Sequence, residues 1–250
     1  MPTNQRIWVT GGSSGIGLAL LNHYRQRGWT TVGTARRREA PDSATHWIPA
    51  DLSVTAERAS ALDAVLNAVE WPDLVVLNAG LGHWAPVDAT EPADAERIFA
   101  LNYWAVVDLT TQLAQRAKGR PVHIVVVSSI AARFGQKKLA TYSASKAAVA
   151  LWAESLNEEW QGSPHRVQLV LPGVVSTDIM RHSIGRDGQP LGDRAGQHRG
   201  WSAERTAQAI ARAATTPRFA HILADPGIRL ALILHDLCPR IFYFLLRRRP

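Results

Sequence analysis

Cysteine is nearly missing: Cys238 is the only one in 250 residues. A single thiol cannot close an intramolecular disulfide and leaves no cysteine-based metal cluster, so no metal is expected. Stability has to come from a core, which fits a reducing, cytoplasmic compartment. Internal repeats and low-complexity tracts are also lacking. The N-terminus, MPTNQRIWVTGG, runs almost straight into an apolar β-branched segment, and no signal peptide is expected. The most apolar tail, Pro226 to Pro250, is interrupted by Arg229, His235, Asp236, Pro239 and Arg240, which makes it a poor membrane span. Acidic residues are the minority, 21 against 28 Lys and Arg, giving a net charge of +7 and an isoelectric point near 10.2. A basic surface suits nucleic acid, anionic lipid or a small anion. The arginines are scattered or fall in loops and termini without aromatics interleaved on one face, so nucleic acid is not expected as a partner. The nine tryptophans are dispersed and read as packing residues.

Apolar residues make up 46% of the chain, enough for one large domain over 1–225, followed by an apolar and basic extension over 226–250. Seven strand-like runs alternate with helical patterns, which predicts an α/β fold: a doubly wound sheet of parallel strands with ligands at their carboxyl ends. The first run, residues 5–10, stops at Gly11-Gly12-Ser13-Ser14-Gly15-Ile16-Gly17 before an apolar helical pattern. Glycines there let the backbone approach a pyrophosphate, and a helix N-terminus offers it free N–H groups. The second run, residues 30–35, ends in Ala35 followed by Arg36-Arg37-Arg38. That strand end lies beside the adenosine ribose in dinucleotide folds, where a guanidinium favours a 2′-phosphate and a carboxylate would repel it. NADP(H) is therefore favoured over NAD(H), with Arg36 the first choice for the phosphate and Arg37 the second.

The third run ends at Asp51-Leu52, ahead of a helix expected over 54–69, and Asp51 alone could cap that helix. DLVVLNAG follows as a buried strand ending at Asn78-Ala79-Gly80. One long helix is expected from Pro92 to Lys118, with Asn102 midway along it. HIVVVSS then ends at Ser128-Ser129, and Tyr142 and Lys146 stand four apart at the start of another helix, on one face. A fixed positive charge beside a phenol favours the phenolate and draws its pKa toward the working range of an acid–base catalyst.

Ser129 with Tyr142-Ser-Ala-Ser-Lys146, Thr10-Gly11-x-x-x-Gly15-Ile16-Gly17, Asn78-Ala79-Gly80 and Pro172-Gly173-Val-Val175-Ser-Thr177 occur in the order found in the short-chain dehydrogenase/reductase family. The resemblance covers about residues 5–225. It implies a Rossmann-type sheet of strand order 3-2-1-4-5-6-7 and a reversible hydride transfer between NADP(H) and a carbonyl or alcohol. It gives Ser129 and Tyr142 the carbonyl oxygen, and Lys146 the nicotinamide ribose. It gives Asn102 a perturbation of its helix and a water linking Lys146 to solvent, Asp51 and Leu52 the adenine, and Thr177 and Val175 the nicotinamide. Leu77 stands where the family pattern has a first Asn before Asn78.

Residues 180–200 are polar, glycine-rich and aperiodic, where the family has its substrate lid. Arg181, His182, Arg186, Arg194, His198 and Arg199 suit either an anionic substrate group or a solvated loop. The 226–250 extension fits packing on the domain, a homodimer or higher oligomer, or a peripheral membrane contact. In that last case Phe242, Tyr243 and Phe244 would insert, with Arg247, Arg248 and Arg249 facing anionic lipid. Two rivals to a soluble carbonyl reductase stand beside it: an NADP(H)-binding sensor or scaffold on the same fold, and a membrane-surface reductase of lipid-like or steroid-like substrates.

Overall fold

Most of the strand-forming runs are apolar along their length rather than alternating, as strands covered on both faces must be. The computed structural model describes residues 5–195 and 200–248. β1 (Arg6–Thr10), β2 (Thr30–Ala35), β3 (His46–Pro49), β4 (Leu74–Leu77), β5 (His123–Val127) and β6 (Arg166–Pro172) pair in parallel. Two short strands, β7 (Val175–Ser176) and β8 (Trp201–Ser202), form a separate pair. The last strand of the main sheet is therefore β9 (Ala220–Leu223), and the order is β3-β2-β1-β4-β5-β6-β9. This is the expected doubly wound arrangement, with the two-stranded insertion shifting only the number of the final strand.

Successive residues of a strand point to opposite faces, so each strand feeds two cores. Trp8, Ile124, Val126, Leu169 and Leu171 pack with α2 (Thr55–Val69) and with the helices that precede β5 and β6. Ile7, Val9, Val125, Val127 and Val170 pack on the other face with α1 (Gly15–Arg25) and the helix Ala203–Ala214. Trp8 is fully buried without an orphaned indole, because its N–H donates to the Thr34 hydroxyl at 2.9 Å.

The long helix expected over 92–118 is interrupted. α3 (Pro92–Phe99) passes through a π turn, Ala100–Trp104, before α4 (Ala105–Arg116). A π turn widens the helix by one residue and leaves a backbone group short of its usual partner. Here the carbonyl of Ala100 takes a bond from the buried Arg58 at 3.1 Å, which also donates to Leu52 and Ser53 carbonyls. α5 (Ala140–Glu159) carries Tyr142 and Lys146 in its first two turns. The segment after β6 is less irregular than expected: α6 (Ile179–His182) and bridges from Ile184 to His83 and Pro190 give it structure. After α7 (Ala203–Ala214) and β9, the extension folds as two helices, α8 (Pro226–Leu237) and α9 (Pro239–Arg247). Leu232 and Phe242 face inward, Phe242 stacks edge-on against Phe134 at 5.0 Å, and Asp236 pairs with Arg133 at 2.8 Å. Among the described residues no helix is long and apolar enough to cross a membrane.

Candidate active site

The glycine turn fits because the backbone there leaves no room for a side chain. Gly11 has φ +71°, and a Cβ on it would sit 2.9 Å from the Cα of Ala79. On Gly17 it would lie 2.1 Å from the carbonyl oxygen of Gly11. The Thr10 hydroxyl accepts from the N–H groups of Asn78 and Ala79, each at 3.0 Å, while the Asn78 amide donates back to the Thr10 carbonyl. The ends of β1 and β4 are thus clamped together beneath a cleft of about 360 Å³. Gly11, Ser13, Ser14, Gly15 and Ile16 line it on one side, and Asn78, Ala79 and Gly80 at the strand end. α1 starts there with Ser14 before it and no side chain capping its N–H groups, so its positive end faces the cleft. This cradle fits a dinucleotide pyrophosphate. Thr177 also lines the cleft and closes to within 3.3 Å of the position a Gly15 Cβ would take. Gly17 lies under the turn, and Pro172, Gly173 and Val175 are not part of the lining.

At the far end are Ala35, Arg36, Arg37, Asp51 and Leu52. Both arginines are exposed and make no ion pair among the described residues. Asp51 does not cap the following helix. α2 begins at Thr55 with Val54 before it and no side-chain cap, and the Asp51 carboxylate instead accepts from the Ser53 N–H at 2.9 Å and hydroxyl at 2.7 Å. A short carboxylate closes such a turn on its own neighbours more readily than it reaches four residues on. Burial would raise the Asp51 pKa, but the Ser53 bonds and the Arg36 and Arg97 charges outweigh it and hold the carboxyl below its ordinary value. Arg97, from α3, was not marked by any sequence motif; only the fold brings it to the cleft.

At the Gly80 end the catalytic candidates assemble. Ser129 begins a tight turn, Ile130–Ala132, with its hydroxyl accepting from the Ala131 N–H at 3.1 Å, and it stands close enough to the Tyr142 phenol to draw its pKa down. Lys146 is buried and its ammonium donates to the Val127 carbonyl at 3.1 Å, while the Ser128 hydroxyl donates to the Lys146 carbonyl. Asn102, fully buried in the π turn, accepts from the Leu81 N–H at 2.8 Å and donates to the Leu81 carbonyl at 3.0 Å and the Ser145 hydroxyl at 3.0 Å. Ser145 in turn donates to the Tyr142 carbonyl at 2.8 Å. A Cβ on Gly80 would meet Asn102 Oδ1 and Lys146 Nζ, both at 3.3 Å. The glycine-lined cleft and the helix that bears Tyr142 and Lys146 therefore join at one glycine.

The electrostatics differ from the sequence expectation in one respect. Burial pushes the Tyr142 phenol above its ordinary pKa, with the neighbouring Ser129 hydroxyl pulling the other way. The Lys146 ammonium is directed to a strand carbonyl, and burial brings it from 10.5 down to about 8. The lysine is thus poised near neutrality and the phenol is held protonated.

In the lid region, Arg181 pairs with Asp193 and His182 lines the cleft, while Arg186 is exposed. The Arg194 side chain, His198 and Arg199 lie outside the described residues, as does Arg249. His83, buried at the bridge to Ile184, has neither ring nitrogen hydrogen-bonded. Burial lowers its pKa and keeps it neutral.

The family profile described as short chain dehydrogenase matches residues 5–187. This chain belongs to the short-chain dehydrogenase/reductase family. Among curated proteins it is 27% identical to dehydrogenase/reductase SDR family member 7B of Bos taurus over 98% of this chain and 81% of that one. It is 26% identical to the SDR family protein 7-like of Drosophila melanogaster, over 97% and 79%. Among solved structures, a short-chain dehydrogenase from Streptomyces avermitilis superposes with a TM-score of 0.78 at 25% identity, covering 95% of this chain and 94% of that one. One from Burkholderia cenocepacia in complex with NADP gives 0.81 at 21% identity, covering 98% of each chain. Another from Burkholderia phymatum in complex with NAD gives 0.80 at 20%, covering 96% of each. The chain is an oxidoreductase of this family.

Two outcomes follow from the buried groups. Asn102→Leu leaves the Leu81 N–H and carbonyl unpaired, which should cost about 3 kcal/mol and lower Tm by roughly 6–12 °C in a thermal melt. An unchanged Tm would mean that the amide bonds are not made. For Lys146, the unfolded chain keeps its proton to about pH 10.5 and the folded chain only to about 8. The folded state is therefore penalised in full below pH 8, and the penalty fades as pH rises to 10.5. Lys146→Met should be the more stable protein at pH 7 in urea, by about 2 kcal/mol after the lost Val127 bond, with the gap closing above pH 8. A gap independent of pH would refute the lowered pKa.

Proposed function

We propose that this chain is an NADP(H)-dependent oxidoreductase that interconverts a ketone or aldehyde with its alcohol. The observation that carries the reading is the meeting of Lys146 and Asn102 under Gly80, beside Ser129 and Tyr142 and at the end of the glycine-turn cleft. Gly11–Gly17 would hold the pyrophosphate of a dinucleotide lying along that cleft, and Arg36 and Asp51 would flank its adenosine. Thr177 would hold its nicotinamide end, with Val175 and the Pro172–Gly173 turn behind. The bound nicotinamide supplies the hydride to the carbonyl carbon, or receives it in the reverse direction.

The chain's own residues supply the rest. Ser129 and Tyr142 donate hydrogen bonds to the carbonyl oxygen and draw electron density toward it. Tyr142 passes its proton to that oxygen as the carbon is reduced. A phenol whose pKa is raised by burial is protonated at neutral pH, which suits the reductive direction. Lys146, near pH 8, replaces the lost proton and bonds the ribose, and Asn102 holds the Gly80–Leu81 backbone in register for both.

NADP(H) is favoured over NAD(H) because Ala35 ends β2 where a carboxylate would repel a 2′-phosphate, and because Arg36 and Arg37 border the cleft without ion-pair partners among the described residues. The exposed Trp104 and Leu151, 54% and 66% accessible, support a homodimer or higher oligomer.

Tyr142→Phe should bind NADPH as wild type and lose roughly 10³-fold in kcat on any carbonyl the enzyme reduces; retained turnover would mean that another group protonates the product. Arg36→Glu should weaken NADPH roughly tenfold to a hundredfold in a fluorescence titration and leave NADH nearly unaffected. Equal losses for both nucleotides would contradict the assignment of Arg36 to the phosphate.

A further inference from the structure

The α8–α9 hairpin has an inner and an outer face of opposite character. Leu232 and Phe242 turn inward, whereas Leu230, Ile233 and Leu237 follow one another at helical spacing on the outside of α8, 67%, 54% and 76% exposed. Ile241, Phe244 and Leu245 continue the exposed row on α9. Six of the twelve strongly exposed large apolar side chains among the described residues thus lie in these two helices. Scattered exposed apolar residues need no explanation, but a contiguous set does.

What surrounds the row is basic. Arg240 and Arg247 on α9 and Arg248 just past its end are exposed, and Arg248 lies over the Phe244 ring at 4.1 Å. Beside Ile233, a shallow groove of about 330 Å³ is bordered by Arg133, Arg218, His221 and Arg229. Its one carboxylate, Asp236, is already paired with Arg133 at 2.8 Å and bonded by His235 at 3.0 Å. Asp236 is also the only acidic residue in either helix. A second copy of this face would meet it with cations against cations and no free carboxylate to pair them. An anionic bilayer answers both features at once, taking the apolar row into the acyl boundary while the arginines meet headgroup phosphates.

We propose that the outer face of α8–α9 is a docking surface for an anionic phospholipid bilayer, with the Arg133/Arg218/Arg229 groove receiving a lipid phosphate. The hairpin is fixed to the segment just after Ser129 through the Arg133–Asp236 pair and the Phe134–Phe242 contact. Docking through this face brings that segment to the lipid surface.

The test is sedimentation of the full chain with phosphatidylcholine vesicles, with and without phosphatidylserine. The intact protein should sediment with the phosphatidylserine vesicles, should stay in solution with phosphatidylcholine alone, and should be released by salt. Arg240→Ala, Arg248→Ala and Arg218→Ala should each weaken binding about fivefold. Phe244→Asp combined with Leu237→Asp should weaken it roughly tenfold or more while leaving the thermal transition and NADPH binding in place, since both side chains are exposed. Absence of sedimentation with phosphatidylserine vesicles, or binding indifferent to these substitutions, overturns the proposal. So does the alternative result in which the same double variant turns an oligomer into a monomer on a sizing column and vesicles are never bound, because the covering partner is then a second copy of the chain.

Discussion

One amide side chain ties the two halves of this site together. Asn102 satisfies both backbone groups of Leu81 and also reaches Ser145, one helical turn from Tyr142. It can do so only because the helix is wound as a π turn at Ala100–Trp104, which aims the side chain inward where an uninterrupted helix would have carried it past. The loop after β4, which floors the nucleotide cleft, and α5, which bears the phenol and the ammonium, are therefore held in one register by bonds made in a dry interior. There an unmade bond would cost more than the same bond gains in water. Arg58 performs the matching task on the other side of the π turn, fastening its freed Ala100 carbonyl to the Leu52–Ser53 loop at the Arg36 end of the cleft.

This arrangement gives the buried lysine a role different from that of a simple neighbouring charge. Desolvation acts against the charged form of either group, raising the phenol above its ordinary value and lowering the ammonium to about 8, so the ammonium becomes the stronger acid of the two. A donor that stays protonated beside an amine that gives up its proton near pH 8 is suited to passing a proton inward as a carbonyl is reduced. The Val127 carbonyl keeps the amine at the end of β5 and beneath Gly80, the position that any side chain on residue 80 would crowd.

Much of this was legible in the sequence, and the failures have physical causes. The seven strands stand out because buried parallel strands are continuous apolar runs bounded by glycine, proline and asparagine; β2 spans the residues 30–35 read from its composition alone. The glycine turn was legible because Gly11 and Gly17 are required by contacts, so no other residue could hide the pattern. The π turn was legible only through the resemblance, which has Asn102 perturb its helix, since one inserted residue leaves helix propensity and apolar spacing over 92–118 almost unchanged. A spacing of four put Tyr142 and Lys146 on one face, yet spacing says nothing about whether an amine turns to a phenol or to a strand carbonyl. Arg58 and Arg97 were missed because their partners are fixed by tertiary packing, and Asp51 was open between a helix cap and a local turn until the start of α2 at Thr55 decided it. The two helices of the extension were hidden by the charges and prolines that interrupt its apolar runs.

The most direct test of the account is a crystal structure of the protein with NADPH. The account predicts the pyrophosphate over Gly11–Gly17, the 2′-phosphate against Arg36, and the nicotinamide ribose within hydrogen-bonding distance of Lys146, with the Tyr142 hydroxyl facing the ring. A nucleotide bound elsewhere, or a phenol and ammonium turned away from its nicotinamide end, would contradict it.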